Sequence, residues 1–145
     1  MTTPFRQPRT PILVVGAGPV GLTLANLLGQ DGIPCTLIDR HMTPRVQSRA
    51  IGWTPPSLAL LKRIGIADRM IEAGVQVPTA RVYDGAGEVG ALRFDELPGE
   101  FPFILTLPQA DAVRMLRDRL AACEAVTFMP GTELTRAADD AEHVV

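Results

Sequence analysis

Ile12-Leu13-Val14-Val15-Gly16-Ala17-Gly18-Pro19-Val20-Gly21 is the stretch on which the fold turns, and Asp39 follows eighteen residues beyond Gly21. The four apolar residues read as a short strand buried on both faces of a parallel sheet. Gly16 to Gly21 is a complete G-x-G-x-x-G. The three glycines do different things. Gly16 permits the tight turn out of the strand, and Gly18 lets a pyrophosphate approach the backbone. Gly21 allows the following helix to lie close on the sheet. Ala17, Pro19 and Val20 complete the loop, and Pro19 suits a first helical turn, where its missing N–H costs nothing. A helical pattern runs on through Val20, Leu24, Leu27 and Leu28 to a stop at Gly32. Pro34 to Asp39 is a second strand. The helix N-terminus offers unpaired N–H groups to phosphates, and Asp39 offers a carboxylate to ribose hydroxyls. That carboxylate repels a 2′-phosphate, so NADP is disfavoured at this loop. The unit is a dinucleotide-binding βαβ motif for an ADP moiety, and the fingerprint alone does not separate FAD from NAD.

Outward from this motif, Met1 to Pro11 holds three prolines and reads as a flexible leader. Arg40 opens a loop with Pro44, Arg45, Ser48 and Arg49. Pro55 and Pro56 start a helix through Arg63 that closes near Gly65, and a short helix covers Ala67 to Ala73. Ala80–Asp84 and Val89–Phe94 form two strands joined by a turn at Gly85-Ala86-Gly87. Asp95 to Pro102 is loop, Ile104 to Leu107 a strand, and Gln109 to Ala122 a helix with Val113, Leu116 and Leu120 on one face. Ala125 to Met129 is a further buried strand, and His143-Val144-Val145 resembles the start of another. The order predicts an α/β, Rossmann-like FAD/NAD(P)-binding domain over residues 12–145, with a parallel sheet and a small antiparallel insertion. It also reads as an incomplete domain.

The 145 residues suffice for one hydrophobic core, and 46% of them are hydrophobic. A net charge of −2 gives no basic surface for nucleic acid. From Ile12 to Gln30 the chain is uncharged, with Arg6 and Arg9 upstream, a pattern shared with membrane anchors. Gly16, Gly18, Pro19, Gly21, Thr23 and Asn26 interrupt that run, and a strand–turn–helix accounts for all of them, so no membrane contact is expected. Cys35 and Cys123 lack metal-ligand spacing and read as buried structural thiols in a reducing cytoplasm, and no metal site is expected.

Three stations further along resemble the flavin-dependent aromatic hydroxylases of the para-hydroxybenzoate and phenol hydroxylase type. Asp39-Arg40 matches the family's acid followed by arginine. Arg49-Ala50 matches its Arg-Ala pair about ten residues later, ahead of a helix ending at Ile64-Gly65-Ile66. Leu107-Pro108-Gln109 looks like its Pro-Gln pair. The resemblance runs from Ile12 to Leu120 and covers only the amino-terminal part of the family. It implies FAD as the cofactor, with Arg49 by its phosphates or ribose and Gln109 by the ribityl–ribose region. It implies a reaction in which NAD(P)H reduces the flavin and O2 supplies a hydroxyl group to a small aromatic substrate.

Departures accompany the match. Pro56 stands where many relatives carry arginine. The family's mid-chain Asp-Gly and later Gly-Asp motifs have no counterpart, since Asp31-Gly32 ends a helix and Asp84-Gly85 sits in a turn. A missing carboxy-terminal portion or a second copy of the chain is the protein partner to consider. No residue stands out as catalytic. His41 reads as a surface or ribose-side histidine, Tyr83 and Trp53 as packing residues, and Asp95, Glu96 and Glu100 as a solvated acidic loop. The alternatives are another FAD- or NAD-dependent oxidoreductase domain, or a nucleotide-binding module without activity of its own.

Overall fold

A computed structural model describes residues 12–44 and 52–138. Strand β1 (Leu13–Val15) leads through the glycine loop into helix α1 (Pro19–Gln30), which returns the chain to β2 (Cys35–Asp39). Parallel strands need such a crossover, and β1 pairs with β2 in parallel, Val14 opposite Leu37. A third parallel strand, β8 (Val126–Pro130), flanks β2 on its other side, Leu37 opposite Phe128. The sheet order is β1-β2-β8, and Asp39 ends its central strand.

Between β2 and β8 come β3 (Gly52–Trp53), α2 (Pro55–Arg63), α3 (Ala67–Ala73), β4 (Val75–Val77), β5 (Thr79–Asp84), β6 (Gly87–Arg93), β7 (Ile104–Thr106) and α4 (Gln109–Leu120). β7 is the centre of an antiparallel β3-β7-β4 sheet, and β5 and β6 form a separate hairpin. The Asp84 carboxylate closes the hairpin turn by accepting the N–H groups of Ala86 and Gly87 at 2.7 and 3.1 Å. The expected antiparallel insertion is therefore two sheets. β3 and β4, too short to show a periodicity, owe their existence to pairing with β7.

Five expectations need correction. β1 is not buried on both faces: Val14 turns inward toward α1, whereas Leu13 and Val15 are 47% and 55% exposed on an edge strand. The buried face of α1 is Leu22, Ala25 and Asn26, while Val20 and Leu24 are exposed. Small residues win there because the helix lies so close: a Cβ on Gly29 would stand 2.8 Å from the Cβ of Cys123 and from Val126 Cγ2. Phe94 leaves the strand for a 3-10 turn over Phe94–Glu96, and β8 is half-buried, with Thr127 exposed. Tyr83 does not pack: it is 63% exposed, its hydroxyl 3.3 Å from Glu88.

The core joins α1, α2, α3 and α4 through Leu22, Leu58, Leu61, Met70, Leu105 and Leu116, all nearly inaccessible. Asn26, buried among them, donates to the carbonyls of Leu22 and Leu116 at 2.9 and 3.0 Å, which ties α1 to α4. Arg119 of α4 donates to the Ile64 carbonyl at 3.1 Å, satisfying the C-terminal end of α2. Trp53 is half-buried and its indole N–H reaches the Leu107 carbonyl at 3.1 Å. Cys35 and Cys123 are buried free thiols, and burial, with Cys123 adding, pushes the Cys35 thiol pKa up. The acidic loop is solvent-facing, with Arg93 beside Asp95 and Glu96, and Lys62 beside Glu100. Among the described residues, no helix is long and apolar enough to cross a membrane.

Candidate functional site

A cavity of about 500 Å³ opens at the carboxyl ends of the parallel strands. Open α/β sheets bind ligands at this edge. Gly16, Ala17 and Gly18 form one wall, Asp39, Arg40 and His41 a second, and Gln109, Val113 and Arg117 a third. Thr132 to Leu134, just beyond β8, close the remaining side.

The glycine loop follows from its local geometry. Gly16 has φ +102°, a conformation that side chains disfavour. A Cβ on Gly18 would meet nothing within 4 Å, so the backbone there faces open space. A Cβ on Gly21 would run into the Gly16 carbonyl oxygen, so this glycine serves the packing of loop on helix. Gly18 is the N-cap of α1 and no side chain caps that end, which leaves the first-turn N–H groups for a ligand. Pro19, Val20 and Gly21 make the first turn of α1 behind the cavity wall.

Asp39 braces the loop. Its carboxylate accepts the Ala17 N–H at 2.7 Å through Oδ2 and the His41 N–H at 2.7 Å through Oδ1. Desolvation raises its pKa, but the N–H groups of His41 and Ala17, with the charges of His41 and Arg117, more than reverse this. The net pKa lies below the ordinary aspartate value, so the group is an anion at neutral pH. Two bonds leave a carboxylate with further lone-pair capacity for ribose hydroxyls. The Asp39 carbonyl takes the Thr132 N–H at 2.9 Å, which draws the segment after β8 against the same site.

The structure thus brings Gly16, Ala17, Gly18, Asp39, Arg40 and Gln109 to one cavity, with His41 beside them. Arg40 is mostly solvated, 3.9 Å from Glu133 and 3.3 Å from the His41 ring. Arg49 lies outside the described residues, as does His143. Sequence reasoning misses the wall segment Thr132 to Leu134 and, on the face of α4 that Gln109 begins, Val113, expected only in the core, and Arg117. A signal for the two α4 residues exists: Gln109, Val113 and Arg117 recur every four residues, so they share one face of α4. The Arg117 guanidinium carbon sits 5.0 Å from the Phe128 ring centroid, and its shielded Nε–H has no acceptor among the described residues.

These groups fit an ADP moiety: an uncapped helix start for diphosphate, an open glycine backbone beside it, and a carboxylate placed for ribose. Comparison with known proteins decides the family. The FAD binding domain family matches residues 9–145. This chain belongs to that FAD-binding domain family. It is 34% identical over 137 residues to pentachlorophenol 4-monooxygenase from Sphingobium chlorophenolicum, covering 92% of this chain and 25% of that protein. Its fold matches the crystal structure of p-nitrophenol 4-monooxygenase from Pseudomonas putida DLL-E4 at TM-score 0.85 and 25% identity, over 93% of this chain and 35% of the other. It also matches a Diels-Alderase of pyrroindomycin biosynthesis at TM-score 0.75 and 26% identity, over 92% and 28% of the two chains. This FAD-binding domain spans about a quarter of the curated relative's length. The Rossmann-like α/β architecture and the resemblance to aromatic hydroxylases are borne out.

Proposed function

We propose that this chain is the FAD-gripping front portion of a flavin-dependent monooxygenase that hydroxylates a small aromatic compound using NAD(P)H and O2. The observation that carries the reading is the Asp39 carboxylate bonded to the Ala17 N–H of the glycine loop, opposite the Gln109 face of α4 across one cavity. In this reading Gly16 to Gly18 and the α1 N-terminus hold the diphosphate, and Asp39 and Arg40 hold the adenosine ribose. Gln109 and Arg49 reach the cofactor further along, toward the ribityl chain and phosphates. The flavin, when bound, supplies the redox chemistry, while the protein binds and orients it. The hydroxylase activity of the named relatives supports the assignment of reaction class.

Titration of FAD into the purified chain, followed by flavin fluorescence, is expected to saturate at one equivalent; absence of uptake sinks the FAD reading. In the full-length gene product, a phenol is expected to stimulate NADH or NADPH oxidation and to gain one oxygen atom by mass spectrometry. A second reading is favoured by the Diels-Alderase likeness: this front end also occurs in a protein named for a cycloaddition. A flavin-loaded gene product that hydroxylates no member of a phenol panel would move the assignment there.

A further inference from the structure

Arg117 lines the cavity, and the phosphate and ribose contacts leave its environment unexplained. It stands two helical turns beyond Gln109 on the same face of α4, about 12 Å along the axis. Its guanidinium carbon lies over the Phe128 ring at 5.0 Å, and among the described residues no carboxylate comes within 4 Å of it. Its Nε–H is shielded from water and has no acceptor among the described residues. Holding an arginine in this way costs free energy, because a buried N–H goes unpaired and a long side chain is immobilised. Stacking against a flat ligand would offset the immobilisation part of that cost. Its charge reaches Asp39, the ribose-side acid. Arg117 and Asp39 line the same cavity, so a base attached to that ribose would share it with Arg117.

We propose that Arg117 is an adenosine-side binding residue, its guanidinium backed by Phe128 and stacked against the adenine of the bound cofactor. The inference rests on the reading of the cavity as an FAD site. A planar guanidinium with an aromatic ring behind it is a flat platform for a heteroaromatic base, which a lysine ammonium cannot reproduce. A phosphate is the lesser fit: the diphosphate already has the α1 N-terminus, and with the Arg117 Nε–H shielded from solvent a phosphate would be limited to the Nη groups.

The test measures FAD, ADP and UDP binding to the wild-type chain and to Arg117→Ala, Arg117→Lys and Phe128→Leu, with circular dichroism melts as a check on folding. Wild type is expected to bind FAD and ADP and to prefer ADP over UDP. Both Arg117 variants are expected to weaken FAD and ADP about tenfold and to narrow the ADP-to-UDP preference, with Phe128→Leu between them and wild type. Unchanged ADP binding in Arg117→Ala overturns the proposal. So does recovery of wild-type affinity by Arg117→Lys, which reduces the role to charge, and so does equal weakening of ADP and UDP, which marks a structural effect. If Arg117→Ala fails to fold, Arg117→Lys, which keeps the charge and most of the stem, decides. Wild type that binds neither FAD nor ADP removes the site reading itself, and the proposal with it.

Discussion

The Asp39 carboxylate accepts the N–H groups of Ala17 and His41, both at 2.7 Å, so it shapes the glycine loop whether or not a ligand is present. An asparagine could accept only through its single oxygen, and its NH2 group would face a second N–H. Asp39→Asn is therefore expected to lose about 1–3 kcal/mol of stability at neutral pH as well as FAD affinity. The pH dependence has a definite sign. The folded-state pKa of Asp39 is lowered, so the unfolded chain takes up the proton first as pH falls. The stabilisation is present above the unfolded value, about 3.9, and is lost as pH drops through the lower folded value. Thermal melts should show the gap between wild type and Asp39→Asn wide at pH 7 and closing below about pH 4. A gap that stays constant over that range would mean the carboxylate charge contributes nothing.

At the scale of elements, α1 and α4 are locked by a polar side chain in an apolar interface. Asn26 is 1% exposed and its amide donates to both helices. Both carbonyls belong to helical backbone, so removing the amide strands no acceptor outright, and the cost is two amide hydrogen bonds, the weak Cys123 thiol contact to Asn26 Oδ1 at 4.0 Å and a small cavity. Asn26→Ala should then lower stability by about 1–2 kcal/mol, a fall in Tm of roughly 4–8 °C for a domain of this size. An unchanged Tm would show the bonds to be neutral. The same interface explains what is and is not legible in the sequence. Glycine demands are local, so the Gly16–Gly21 loop, the stop at Gly32 and the acid at Asp39 can be read directly. The buried face of α1 cannot, because Leu22 is its only large apolar residue and the others, Ala25 and Asn26 with the close-packed Gly29, carry no apolar stripe. β3 and β4 are illegible for a different reason: strands of two and three residues have no period, and only the partner strand β7 defines them. Arg117 escapes notice because an arginine on an amphipathic helix is ordinarily solvated, and what distinguishes it is Phe128, eleven residues away on β8.

Across the whole molecule, the groups that face the cavity divide unevenly along a dinucleotide. The α1 N-terminus and open glycine backbone suit the diphosphate, and Asp39, Arg117 and the segment after β8 gather at the end of the central strands. Gln109, with Ala110 beside it, extends the wall at the amino end of α4. Of the exposed apolar residues, Val15 and Leu134 line the cavity, whereas a separate group lies on the β5–β6 hairpin, where Val82, Tyr83, Val89 and Leu92 are each more than half exposed. Nothing in the hairpin lines the cavity. A ligand that keeps the adenosine diphosphate and drops the flavin therefore loses little here, whereas one that keeps the flavin and a single phosphate loses most of the contacts. ADP should displace FAD from this chain with an affinity within about tenfold of FAD, and FMN should bind at least about a hundredfold more weakly, a difference of about 2.7 kcal/mol. Competition titrations against FAD fluorescence measure both. FMN binding as tight as FAD would mean that the cavity grips the flavin, and the assignment of Asp39 and Arg117 to the adenosine end would have to be given up.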